Sequence, residues 1–207
     1  MRLAIILITL ISTLPAKTTF KVFILAGQSN MEGKAQNKLL EYQETVPETK
    51  KQFAHLRKNG KWIERDDVLI KYLDRHGKLT IGYARPNRRG AGIWQHDGDH
   101  FKEPVLLIKT AWGGHSLYQK FRSPSTGLPA DEKLQAELEK TQERTKKNNE
   151  KRKQSNPLPT MDDIKAGYGV SWREMLKEVS ETLENYETLF PALKGAAPEI
   201  AGLVWFQ

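Results

Sequence analysis

Phe20-Lys21-Val22-Phe23-Ile24-Leu25-Ala26-Gly27-Gln28-Ser29-Asn30-Met31-Glu32-Gly33 is the stretch that decides the fold. Phe20 to Ala26 is apolar and β-rich with little polar alternation, which is the pattern of a strand buried on both faces. Glycine at positions 27 and 33 permits a tight strand-to-helix turn that a bulky side chain would block, and that turn lifts Ser29 to the rim of a sheet. A serine at the start of a helix also points its amide outward, ready to donate to an oxyanion. Taken alone, a serine in such a turn is more often a helix N-cap than a nucleophile.

Two further runs repeat the first. Pro104-Val-Leu-Leu-Ile-Lys109 reads as a second buried strand and leads into the turn Trp112-Gly113-Gly114. Ile200-Ala-Gly-Leu-Val-Trp-Phe206 reads as a third, followed by Gln207. Between them, residues 28–59 are polar with weak helical spacing. Trp62 to Leu73 alternates loosely as one or two strands, Asp74-Arg-His-Gly77 reads as a turn, and Leu79-Thr-Ile81 as a short strand. Residues 85–98, rich in Gly, Arg and Asn, read as a loop. Asp131 to Lys153 is helix-prone and charged, with only Leu134, Ala136 and Leu138 to bury, so it predicts a solvated surface helix or an insertion. Ser171 with Glu174 has the spacing of a capping box. Trp172, Met175, Leu176, Val179, Leu183 and Tyr186 then recur on one helical face. Strands separated by helices predict an α/β chain, a three-layer αβα sandwich around a mostly parallel sheet. Ligands bind such sheets at the carboxyl ends of the strands. That places the interest at Gly27 to Gly33, Trp112 to Ser116, and Phe206-Gln207.

Composition narrows the chemistry. The 207 residues contain no cysteine, which excludes disulfide scaffolds, thiolate metal sites and a cysteine nucleophile, and leaves oxygen or nitrogen to act. At 38% hydrophobic and 28% charged, the chain is globular rather than disordered or multi-spanning. Its net charge of +8 is concentrated: residues 50–89 hold twelve Lys and Arg against four acids. Such a stripe is a solvated face or a surface for an acidic polymer. No ribonucleoprotein motif, zinc finger or helix-turn-helix accompanies it, so nucleic acid is not expected. Met1-Arg2, the apolar run Leu3 to Leu14 and Pro15-Ala16 resemble a signal peptide over residues 1–16. A run of about a dozen residues is too short to span a bilayer, which takes roughly 20. The expected product is secreted or periplasmic, with one domain over residues 17–207 and no membrane span once the signal is cleaved.

Gly27-Gln28-Ser29-Asn30-Met31-x-Gly33 resembles the first block of the SGNH (GDSL-like) hydrolases, in the form used by sialate O-acetylesterases and carbohydrate acetylxylan esterases. Val105-Leu-Leu-Ile-Lys-Thr-Ala-Trp-Gly-Gly114 resembles the second block, and Gly202-Leu-Val-Trp-Phe-Gln207 the opening of the third. The resemblance implies a flavodoxin-like αβα layering and a serine esterase acting on an acetylated carbohydrate, without a cofactor or a metal. Ser29 matches the nucleophile. Its amide, the amide of Gly114 and the side chain of Gln207 match the oxyanion hole. Gln28, Asn30 and Trp112 fall where substrate contacts belong, Trp112 as a wall for a sugar ring or as simple packing.

The family places its base in an Asp-x-x-His motif well after the third block, and this sequence has no such position. Its histidines are His55, His76, His96, His100 and His115. Asp97-Gly-Asp-His100 is a literal match in the wrong part of the chain order, and His115 adjoins the glycine turn. His96 and His100 with Asp97 and Asp99 have metal-like spacing, though a polar loop accounts for them as well. Gly90-Ala-Gly-Ile-Trp94 stands where related esterases carry Gly-Pro-Glu. The sequence therefore resembles the N-terminal part of an exported O-acetylesterase, and weak or absent hydrolysis is expected of it. The alternative expectation is a non-catalytic carbohydrate-binding protein on the same scaffold.

Overall fold

The computed structural model describes residues 18–33, 37–81 and 100–207. Five strands form its main sheet: β1 (Thr19–Gly27), β4 (Glu64–Tyr72), β5 (Arg75–Thr80), β6 (Val105–Ala111) and β7 (Ala197–Phe206). Their order is β5-β4-β6-β1-β7. β1 pairs parallel with β6 and β7, β4 pairs parallel with β6, and β5 is antiparallel to β4. β2 (Arg57–Lys58) and β3 (Lys61–Trp62) make a separate small hairpin. The short helices α1 (Ser29–Glu32), α2 (Asn37–Gln43) and α3 (Lys50–Phe53) follow β1. The long α4 (Asp131–Arg152), the short α5 (Met161–Ala166) and the long α6 (Val170–Leu189) lie between β6 and β7. The mixed α/β architecture and the mostly parallel sheet are as the sequence predicts.

All seven residues of β6 are buried, as a central strand with two covered faces requires. Alternate residues serve two cores. Phe20, Val22, Leu69, Leu106 and Ile108 face α6, where Val179, Leu183 and Tyr186 meet them. Leu25, Val68, Ile70, Tyr72, Val105 and Leu107 face the other way, toward Met31 of α1 and Phe101. A satellite cluster of Leu134, Ile164 and Tyr168, with Leu138 and Met161 against it, ties α4 to α5. The charged helix is thus largely solvated, anchored through the few apolar residues the sequence offers.

Four local expectations change. The run Ile200 to Phe206 forms a strand, but not a buried one: β7 is the edge of the sheet, and Ile200, Leu203 and Phe206 are exposed. The turn after β4 is Leu73-Asp74, with Leu73 at φ +52°, and Arg75 already belongs to β5, pairing with Tyr72. Leu176 is exposed, so the apolar face of α6 is narrower than its spacing implies. Ser171 caps nothing. α6 starts after Gly169 at φ +69°, and its first amides donate to backbone, Ser171 N to Lys120 O at 2.8 Å. With those donors satisfied by a neighbouring loop, the Ser171 hydroxyl is released for another partner. The capping box lies instead at α5, where Thr160 Oγ1 accepts from Asp163 N and the Asp163 carboxylate accepts from Thr160 N. Among the described residues, no helix is long and apolar enough to cross a membrane. The proposed signal over residues 1–16, the loop 85–98 and Gly90 to Trp94 lie outside the described residues.

Candidate functional site

The strand register brings the three motifs to one level. Gly27 lies opposite Ala111 of β6 on one side and Phe206 of β7 on the other. Parallel strands that end together deliver their following loops to the same rim. The backbone closes around it: Gln28 N donates to Phe206 O at 3.2 Å, and Trp112 N to Gly27 O at 3.2 Å. Gly27, at φ +148°, permits this approach, since a Cβ there would lie 2.0 Å from Phe206 O.

Side chains then stitch the loops together. The Gly114 amide, on a residue at φ +81°, donates to Gln28 Oε1 at 3.2 Å. Asn30 Nδ2 donates to Gln207 O at 3.0 Å. Gln207 Nε2 donates to His115 O at 3.3 Å, and Gln207 Oε1 accepts from Trp205 Nε1 at 3.2 Å. The structure therefore gathers Gln28, Ser29, Asn30, Gly114 and Gln207 at one place, with the Gly114 and Gln207 donors engaged by protein acceptors. Ser29 opens α1 on a partly exposed surface, and among the described residues no side chain hydrogen-bonds its hydroxyl. One face of Trp112 is taken by the His115 ring, stacked at 6.1 Å and 13°, and its edge lies near Phe121.

His115 is the histidine beside the rim. Its Nδ1 lies 2.6 Å from the hydroxyl of Ser171, which is fully buried. Burial first, and then the charge of Lys120, hold the imidazole below its ordinary range, so it is neutral near pH 7. His76 stacks edge-on against Phe190 at the far edge of the sheet, and His100 against Phe101. His55 occupies a short 3₁₀ turn after α3. His96, Asp97 and Asp99 lie outside the described residues.

Behind the Ser29 turn is a support that motif reasoning misses. Lys109 of β6 is buried, and its Nζ donates to Glu32 O at 3.1 Å from beneath the end of α1. The ammonium also lies 4.8 Å from the centre of the Tyr72 ring, whose hydroxyl donates to Ala111 O at 3.0 Å. Burial pushes Lys109 down to about 8, against the attraction of the buried Glu32 carboxylate. The sequence carried a signal for it: a lysine inside the apolar run Val105 to Ala111. A charge in a strand that is covered on both faces is costly unless a specific partner holds it.

A family model described as carbohydrate esterase, sialic acid-specific acetylesterase, matches residues 19–156, the span that contains β1, the Ser29 turn, β6 and the glycine turn. The chain belongs to that family. No curated protein and no solved structure matches it. The family is of the SGNH carbohydrate-esterase type, in agreement with the resemblance carried by Gly27 to Gly33 and by Val105 to Gly114. Membership brings an acetylated carbohydrate as the substrate class of the sialic acid-specific acetylesterases.

Of the cations between residues 50 and 81, Arg57, Arg65, Lys71 and Lys78 are ion-paired, two of them with acids the stripe itself does not contain. Arg57 meets Glu44 at 2.7 Å and stacks on Trp62 at 3.9 Å, and Lys71 meets Glu178 at 3.2 Å. Arg65 pairs with Asp67 and Lys78 with Asp66.

Proposed function

We propose that the chain is an exported carbohydrate O-acetylesterase in which Ser29 is the nucleophile. The carrying observation is the common level of Gly27, Ala111 and Phe206, which sets the three family blocks around one serine. Ser29 Oγ attacks the acetyl carbonyl carbon and gives up its proton to solvent water, and the tetrahedral oxyanion forms facing the amides of Ser29 and Gly114 and the Gln207 side chain. Collapse expels the sugar oxygen, which leaves as the alcohol on taking a proton, and the acetyl group remains on Ser29. Water then releases acetate and restores the serine. Donors of this kind typically contribute about 10²–10³ in rate each. Since Gln28 Oε1 occupies the Gly114 amide, substrate entry displaces the Gln28 side chain, and Gln28, Asn30 and Trp112 border the bound sugar.

Proton removal is the weak step. Among the described residues no histidine touches the Ser29 hydroxyl, and the Nδ1 of His115 is committed to Ser171. Slow acyl transfer is therefore expected of this 207-residue chain. The test is p-nitrophenyl acetate hydrolysis by the chain and by Ser29→Ala, with acid quenching and mass spectrometry of the peptides. Slow p-nitrophenol release above the mutant's baseline, with an acetyl adduct on Ser29, supports the proposal. An adduct elsewhere, or equal release by Ser29→Ala, overturns the nucleophile assignment. Fast turnover that vanishes in Ser29→Ala overturns the slow-step reading and requires a base within this chain.

A further inference from the structure

A charged side chain in the middle of a covered sheet needs a reason, and the place of Lys109 supplies one. Leu25, Lys109, Tyr72 and Arg75 lie in register across β1, β6, β4 and β5, so their side chains share the face that α1 covers. The rest of that face is apolar: Leu25, Val68, Ile70, Val105 and Leu107 cluster there with Met31. A methionine at 109 would fill the same layer with no charge to desolvate. Tyr72 stands between two cations, with Lys109 Nζ 4.8 Å and Arg75 Cζ 5.9 Å from its ring centre. Burial lowers Lys109 to about 8 although the Glu32 carboxylate holds it up, and Arg75 lowers it further. Near neutral pH the ammonium therefore costs the fold stability rather than supplying it.

What the ammonium reaches is the turn that carries Ser29. α1 is a single turn of four residues, marginal on its own, and its last carbonyls have no intrahelical partner. Lys109 Nζ takes one of them, Glu32 O, at 3.1 Å, a charge-assisted bond from a central strand. The other end is fixed to the edge strand. Gln28 N donates to Phe206 O at 3.2 Å, and Asn30 Nδ2 to Gln207 O at 3.0 Å. Inside the turn, Glu32 N donates to Gln28 O at 2.7 Å and Gly33 N to Ser29 O at 3.1 Å, so a shift of Glu32 is passed on to Ser29. The Glu32 side chain is itself buried, and its negative charge attracts the ammonium.

We propose that Lys109 and Glu32 are a positioning pair for acyl transfer: Lys109 holds the Glu32 carbonyl from beneath, so that the Ser29 hydroxyl is set for attack, and the Glu32 carboxylate balances the ammonium. The assignment rests on the reading of Ser29 as nucleophile, and both residues act through the Ser29 turn rather than on the substrate. A misplacement of about 1 Å at a reacting atom costs about a hundredfold in rate. The tether therefore matters to rate, while the fold would be at least as stable without the two charges.

The test compares the full chain with its Lys109→Met/Glu32→Gln double variant, which removes both buried charges together and leaves neither unbalanced. Acid quenching and mass spectrometry follow acetylation of Ser29 over a range of p-nitrophenyl acetate concentrations at pH 7. The variant should melt no lower than the parent, and its limiting acetylation rate should fall about tenfold or more with the half-saturating ester concentration unchanged. Acetylation at the parent's rate overturns the proposal. So does a fall that lies wholly in the half-saturating concentration. A melting temperature more than about 5 °C lower also overturns it, since the pair is then a support of the fold. Hydrogen exchange over residues 28–33 reads the tether without any chemistry. The Glu32 and Gly33 amides should exchange faster in the variant while β1 and β6 do not change, and equal exchange overturns the hold on the turn. If that difference is present but the parent never acetylates Ser29, the tether stands and the esterase reading falls.

Discussion

Replacing Gly27 with alanine tests whether the three loops meet as described. The new Cβ would lie 2.0 Å from Phe206 O and 2.7 Å from Phe206 C, whereas ordinary contact begins near 3.4 Å. Backbone cannot rotate away as a flexible side chain does, so the ends of β1 and β7 must part by about 1.4 Å. That breaks the 3.2 Å bond from Gln28 N to Phe206 O and strains the Asn30 to Gln207 bond. Losing the backbone bond costs about 0.5–1.5 kcal/mol. Overpacking adds about 1–3 kcal/mol, and an alanine held at φ +148° is itself unfavourable. The sum is about 3 kcal/mol, a fall of roughly 10 °C in melting temperature for a domain of this size. Gly114→Ala is the internal control. It also has positive φ, but nothing lies within 4 Å of its Cβ, so only the conformational cost of about 1 kcal/mol applies. Thermal unfolding followed by circular dichroism compares the two directly. A Gly27→Ala melting temperature no lower than that of Gly114→Ala would show that β1 and β7 do not approach as described, and the site built on that approach would go with it.

Two more outcomes follow from the buried polar groups. Ser171→Ala should cost about 1–2 kcal/mol in urea unfolding by stripping His115 Nδ1 of its buried partner, while Glu174→Ala stays within about 0.5 kcal/mol; equal costs would restore the capping-box reading of that pair. Lys109 bears on pH dependence. Its folded value of about 8 lies below the unfolded value of 10.5, so between those pH values the unfolded chain holds the extra proton and stability rises with pH. Below pH 8 both states are protonated and the burial cost is present in full. From pH 7.5 to 9.5 the rise amounts to about 2 kcal/mol. Lys109→Met should lack it when unfolding free energies are compared at the two pH values, and an identical rise in the variant would remove Lys109 as its source.

What the sequence discloses and what it conceals divide along the range of the interactions involved. β1 and β6 are legible because a strand covered on both faces must be apolar throughout, a constraint written in consecutive residues; β7 is legible from its apolar, β-rich run although it lies at the sheet edge with Ile200, Leu203 and Phe206 exposed. The rim is legible because glycine at 27 and 114 and the residues around Ser29 form recognisable local blocks. Ser171 misled because its spacing to Glu174 is a local signal, while the outcome was decided by a carbonyl at Lys120, some fifty positions upstream in the chain. Once Lys120 O takes the helix amide, the hydroxyl has no capping duty, and it turns to His115. Part of the basic stripe is paired from equally far along the chain, Arg57 with Glu44 and Lys71 with Glu178. The useful correction is to weigh a charge against its surroundings rather than its neighbours. Lys109, one cation among apolar residues, carries more structural information than the dozen in the stripe, because burial leaves it no solvent to fall back on. Its hold on Glu32 O fixes the end of the turn that presents Ser29, so the most anomalous residue of β6 is the one that joins the strand to the site.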